Sequence, residues 1–138
     1  MNAIEQSKDF CLNYLSCLKK VASQLNVTYS QAICINYIPR KGISQVDLAK
    51  KLSIDISTLS RNLEHLIHLQ LIHKTNSTLD KRSYKISLSD KGKQFYKLFN
   101  ESIEKRLQII YSSIDIDEKE QLVDILNKIN WQFELYEK

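Results

Sequence analysis

Ser57, Thr58, Ser60, Arg61 and Asn62 stand within six consecutive positions of a 138-residue chain. Hydroxyls, a carboxamide and a guanidinium at this density suit a ligand that offers both anionic oxygens and planar hydrogen-bonding edges. Wound as a helix, the segment shows Ser57, Thr58, Arg61, Asn62 and His65 on one face and Leu59, Leu63, Leu66 and Ile67 on the other. Small hydroxyls let such a helix approach a nucleic acid closely and bond its phosphates. Arg61, the only long cation on that face, can fork onto a guanine edge or clamp a phosphate. A second group, Lys81 and Arg82 behind Asp80, lies in the polar loop from Asn76 to Ser83. A basic loop tip of this kind can enter a narrow minor groove, where negative potential is concentrated. Plainer roles stand beside these: Ser and Thr at a helix start act as caps, Arg61 is an ordinary surface cation, and Asp80 pairs locally with Arg82.

The elements that must position these groups are legible from periodicity. Residues from Ile4 to Leu25 read as a helix, with Cys11, Leu15, Leu18, Ala22 and Leu25 on one face. Thr28 or Ser30 can cap a second helix reaching Ile38, apolar nearly all round and therefore central. Pro39 disfavours helix at Ile38, and Gly42 permits the turn that follows. Ser44 to Asp47 resembles a capping box before Leu48, Ala49 and Leu52, and after a break at Ser53-Ile54, Asp55 caps the next helix. Leu71–Thr75 and Tyr84–Leu88 read as two strands of a hairpin, the second alternating with period two. Ser89 or Asp90 opens a long helix with the stripe Phe99, Ile103, Leu107, Ile110 and Ile114. A break at Asp115-Ile116-Asp117 opens the last, whose Leu122, Leu126, Ile129, Phe133 and Tyr136 form a seam for lengthwise packing. The expected fold is mainly α with a small β-hairpin wing, an α+β winged helix-turn-helix of about six helices. The two unpaired stripes, Ile4–Leu25 and Leu122–Tyr136, call for a partner, and closed two-fold pairing is the commonest solution.

Composition agrees. Two Gly and one Pro argue against most all-β designs, and no apolar run approaches the roughly 18 residues a membrane span needs. The N-terminal segment lacks the apolar core of a secretory signal, which predicts a cytoplasmic protein with reduced thiols. The net charge of +4 conceals an asymmetry: Arg40 to Lys97 holds 12 bases and 5 acids, or +7, and the remainder carries −3. A basic middle points to a polyanionic partner for that part alone. No P-loop, G-x-G-x-x-G, G-x-S-x-G or H-E-x-x-H pattern is present, so no enzymatic activity, catalytic residue or cofactor is expected. Cys11 and Cys34 lie on apolar stripes and read first as core residues, with redox sensing as the alternative. His65 and His68 have a spacing that can chelate a metal, but solvent-facing roles are preferred and no metal is expected.

Four segments taken together resemble the MarR family of bacterial and archaeal transcription regulators. They are Ser44 to Leu52 (the Q-x-x-L-A helix), Asp55 to Arg61 (S-T-x-[ST]-R), Asp80-Lys81-Arg82 (the D-x-R wing) and Ser87 to Gly92 (S-L-[TS]-x-x-G). The resemblance implies N-terminal helices over 1–38, a DNA-binding lobe over 39–92 and C-terminal dimerisation helices over 93–138. It implies a homodimer, usually a repressor, on a pseudo-palindromic operator of double-stranded DNA. Ser57, Thr58, Ser60, Arg61 and Asn62 would then contact DNA from the recognition helix and Lys81 and Arg82 from the wing, while Asp80 holds the wing loop. A small aromatic or anionic effector is a further implication, with Tyr14, Tyr29, Tyr37, Tyr111 and Trp131 as candidate cleft walls. Two alternatives stay open: a cysteine-based redox-sensing regulator of this fold, and a winged-helix module for protein–protein contact. One departure from the pattern is Gln70, which stands where the family has Gly and must take a backbone conformation that Gly adopts cheaply, unless the helix ends differently.

Overall fold

The computed structural model describes residues 1–76 and 84–137. Along the chain run α1 (Ala3–Gln24), α2 (Tyr29–Asn36), β1 (Ile43–Ser44), α3 (Gln45–Leu52), α4 (Ile56–His68), β2 (Ile72–Asn76), β3 (Tyr84–Leu88), α5 (Asp90–Tyr111) and α6 (Ile116–Tyr136). The expected class holds: six helices and one small antiparallel sheet. The chain divides into a unit over Met1–Ile103 and a second over Glu104–Lys138.

Helix starts follow the capping residues in the sequence. Thr28 caps α2 through a reciprocal pair: its Oγ1 accepts from the Gln31 N–H and the Gln31 side chain accepts from the Thr28 N–H. Two otherwise orphaned N–H groups are satisfied this way. Thr28→Ala removes one of those bonds, and the expected cost of about 1 kcal/mol lowers the thermal midpoint by a few degrees, as calorimetry would register. Ser44 caps α3 by accepting from the Asp47 N–H, without the return bond of a full capping box. α2 ends at Asn36 rather than Ile38, since a residue before Pro is pushed out of helical backbone.

The sheet order is β1-β3-β2, all antiparallel. β1 was not foreseen. Two residues carry no periodicity, and this strand exists because Ile43 pairs with Ile86 and Ser44 with Lys85 in the middle strand. β3 has the expected bounds, and β2 begins one residue later than the apolar run suggested. Gly42, at φ +85°, makes the turn into β1. A Cβ there would lie 2.9 Å from the Ile86 carbonyl oxygen, so both backbone and space demand glycine.

One core binds α2, α3, α4 and the sheet. Cys34, Ile35 and Ile38 meet Leu48 and Ala49, Leu59, Leu63 and Leu66, and Leu71, Ile72 and Ile86. Burying each such aliphatic side chain contributes about 1.5–3 kcal/mol, which makes the helix-turn-helix the well-packed part of the chain. α2 is central, as its all-round apolarity implied. Cys34 is fully buried, whereas Cys11 is exposed in the single chain, along with every residue from 1 to 13. Within the single chain the stripe of Cys11 becomes enclosed only from Leu15 onward, so Cys11 is not packed there. Along α5, Phe99 and Ile103 are buried and Ile110 is exposed. α6 has no buried residue at all: Leu126, Ile129, Phe133 and Tyr136 of its seam lie open.

Candidate nucleic-acid interface

Asp55 organises the start of α4. Its carboxylate accepts from the Thr58 N–H at 2.7 Å, from the Thr58 hydroxyl at 2.9 Å and from the Ser57 hydroxyl at 2.6 Å. These bonds, the Ser57 hydroxyl foremost, hold the carboxyl near pKa 2 against an ordinary 3.8, with the Arg61 charge adding a smaller pull. A pKa depressed in the folded state stabilises above the unfolded value and loses that contribution as pH falls toward 2. Asp55→Asn keeps a capping oxygen without the charge. Between pH 4 and pH 2 its unfolding free energy, read by urea titration, should therefore fall less than that of the parent chain; equal falls would contradict the charge-assisted cap.

The same bonds decide what the two hydroxyls can offer. With their protons given to Asp55, Ser57 and Thr58 present lone pairs outward. They are set to accept from a base amino group rather than donate to a phosphate. Ser60 differs. It is half-buried and accepts from the Gln45 side chain of α3, which leaves its own proton to donate. Gln45 was missed as a supporting residue because the contact spans 15 positions between two helices. Arg61 is exposed and forms no ion pair among the described residues.

Two placements on α4 are corrected. Asn62 is half-buried, and its Nδ2 is enclosed without a hydrogen-bond partner among the described residues. Ile67, assigned to the buried face, is 38% exposed. Leu59, Leu63 and Leu66 form the buried stripe as expected, and the helix flanks on either side of it take Asn62 inward and Ile67 outward. His65, His68 and His73 are all exposed, and no cluster of three metal-ligating side chains occurs among the described residues. Burial pushes the Cys34 thiol up to about 11, which leaves it protonated and unreactive.

Asp80, Lys81 and Arg82 lie outside the described residues. At the hairpin's stem, Lys74 stands over the Tyr84 ring at 4.3 Å. Strand register explains the pair: Lys74 is opposite Ile86, and Tyr84, two residues before Ile86, lies on the same face. This ordered cation at the stem was not singled out from the sequence, where it is one Lys in a strand. A cleft of about 480 Å³ lies between the end of α2, α3 and the first turns of α5. Tyr37, Arg40, Lys51, Lys93 and Tyr96 line it, with the Lys51 Nζ 5.6 Å from the Tyr37 ring centre. Of the five aromatic residues considered as cleft walls, only Tyr37 takes part in it.

No helix among the described residues is long and apolar enough to cross a membrane. Comparison with known proteins agrees with the geometry. Residues 34–84 match the MarR family model. The chain is 23% identical over 120 residues to an uncharacterised HTH-type transcriptional regulator of Staphylococcus aureus, covering 85% of this chain and 82% of that one. It is 22% identical over 121 residues to the S. aureus HTH-type transcriptional regulator TcaR, covering 86% and 80%. Among solved structures, wild-type MarR from E. coli superposes with a TM-score of 0.81 at 22% identity, over 94% of this chain and 97% of that one. MepR of S. aureus, in a complex with DNA, superposes with a TM-score of 0.77 at 21% identity, over 96% and 98%. The winged helix-turn-helix of this chain thus matches the MarR family model over residues 34–84, and the chain as a whole has the fold of the solved MarR and MepR structures.

Proposed function

We propose that this chain is a sequence-specific regulator of transcription that binds double-stranded DNA as a homodimer, with α4 as its recognition helix. The observation that carries this reading is the start of α4, where Asp55 holds the exposed Ser57 and the half-buried Thr58 and the exposed Arg61 forms no ion pair among the described residues, inside the basic part of the chain. A helix fits the major groove of B-form DNA, and side chains near its N-terminus reach the base edges. Ser57, Thr58, Ser60 and Arg61 are the proposed contacts. Asn62, turned inward, supports the helix and touches DNA only at its exposed edge. Lys81 and Arg82 supply the wing's minor-groove contact, and Asp80 holds the wing loop. Repression at a pseudo-palindromic operator is the proposed mode. The cleft bearing Arg40, Lys51 and Lys93 beside two tyrosines suits a small aromatic anion as an effector that releases the DNA.

The proposed test is fluorescence anisotropy with the DNA upstream of the chain's own reading frame, set against RNA of the same sequence and against salt. Preferential binding to the DNA duplex, weakening linearly in log–log form with salt, is expected. Equal binding to duplex RNA, whose deep and narrow major groove excludes a helix, would contradict it. So would absence of binding near physiological salt, which a protein-contact module would give.

The proposed second copy covers the apolar seam of α6. A pair of charges there, Ile129→Glu with Phe133→Glu, replaces two exposed side chains and leaves the fold of the single chain intact. Sedimentation should show a dimer for the parent and a monomer for the variant. Operator affinity should drop by at least about a hundredfold, since one of two half-sites is lost. A variant that remains dimeric would place the interface elsewhere.

A further inference from the structure

We infer that Ser89 is a positioning residue for DNA recognition, fixing the exit of α4 to the first turn of α5 through a single hydroxyl. This rests on the reading of α4 as the recognition helix. Ser89 is one of only two buried polar residues among those described. Its hydroxyl donates to the Gln70 carbonyl at 2.7 Å and accepts from the Gly92 N–H at 2.9 Å. Its own N–H donates to the Leu71 carbonyl at 3.1 Å. Two consecutive carbonyls at the end of α4 are therefore held by one residue at the start of α5.

The two residues it grips lie where the chain turns from recognition helix into wing. Gln70 adopts left-handed backbone at φ 61°, a conformation that a residue with a side chain keeps only when its surroundings dictate it. The Ser89 hydroxyl takes the carbonyl of that very residue. Two neighbours tighten the junction. Lys91 Nζ donates to the Leu69 carbonyl at 3.1 Å, and Gly92 lies so close beneath the Leu71 carbonyl that no Cβ fits between them. Leu69, Gln70 and Leu71, the three residues that set the angle between α4 and β2, are thus all tied to positions 89–92. No direct contact with DNA is needed for this role: a tilt of α4 moves Arg61 and Ser57 off their base edges while leaving the surface charge unchanged.

That distinction supplies the test. Full-length parent, Ser89→Ala, Ser89→Thr and Arg61→Ala are compared for affinity toward the selected operator and toward a scrambled duplex of equal length and composition. Measurements are made at a temperature where calorimetry shows every variant folded. Ser89→Ala should lose about tenfold in operator affinity, the scale of one disturbed base contact, and change less than about twofold on the scrambled duplex. Ser89→Thr, which keeps the hydroxyl, should recover most of the loss. The inference is overturned if Ser89→Ala binds the operator like the parent, if both affinities fall together, or if Thr fails to recover what Ala loses. Should Arg61→Ala leave both affinities unchanged, α4 is not the recognition helix and the Ser89 role falls with that reading. Should Arg61→Ala lose operator affinity while Ser89→Ala does not, only the Ser89 role falls.

Discussion

Arg61→Ala should lower operator affinity on the order of a thousandfold, from about 2 kcal/mol at each of two half-sites. The size of the effect follows from the side chain's surroundings. Arg61 is exposed and forms no ion pair among the described residues, so within them only the weaker attraction of Asp55 competes with a base for its guanidinium. Its neighbours Ser57 and Thr58 have their protons engaged by Asp55, and Ser60 is braced by Gln45. The one strong donor left at the surface of α4 is Arg61. Selection repeated with the variant distinguishes how it acts. A base contact relaxes preference at one position in each half-site; a phosphate contact weakens all sequences alike and lowers the salt slope by about one per subunit. Unchanged affinity would remove α4 from the interface.

Gly92→Ala should destabilise the chain by about 3 kcal/mol, lowering the thermal midpoint by roughly 10 °C for a protein of this size. Gly92 is buried, and an added methyl would fall inside the contact radius of the Leu71 carbonyl oxygen, with the Leu88 side chain 3.4 Å away. Backbone on one side and a packed leucine on the other leave little room to relax. The carbonyl in question already accepts from the Ser89 N–H, so displacing it also strains a bond that ties α5 to the end of α4. Calorimetry of the variant decides the point, and a midpoint within a degree or two of the parent would contradict the close approach.

Much of this architecture could be read from the chain because its signals are local. Thr28, Ser44, Asp55 and Asp115 mark helix starts by side-chain chemistry alone, and each caps a helix in the structure. The alternation in Tyr84–Leu88 defines β3, and Leu59, Leu63 and Leu66 keep the buried spacing of an amphipathic helix. What escaped was set by tertiary neighbours. β1 exists only through β3, and the Gln45–Ser60 contact joins different helices. Asn62 sits one turn from Leu59 and one turn from Leu66, on the flank of the buried stripe; polarity suggested solvent, and packing turned it inward. Gln70 shows the opposite case. The resemblance, which has Gly at that position, implied left-handed backbone unless the helix ended differently, and the structure has Gln70 at φ 61°, but the bonds from Ser89 and Lys91 that secure the junction reach across about 20 residues and leave no mark in the local pattern. Of the proposed contacts, the placement of α4's first turns was therefore legible, while the hydrogen bonds that determine what each hydroxyl can offer were not.

Selection of bound sequences from a random duplex library tests the central claim most directly. A homodimer reading DNA through α4 should enrich a two-fold symmetric consensus whose half-sites are centred about 10 base pairs apart, one turn of the double helix. Absence of enrichment over the starting library, or a consensus without two-fold symmetry, would contradict it.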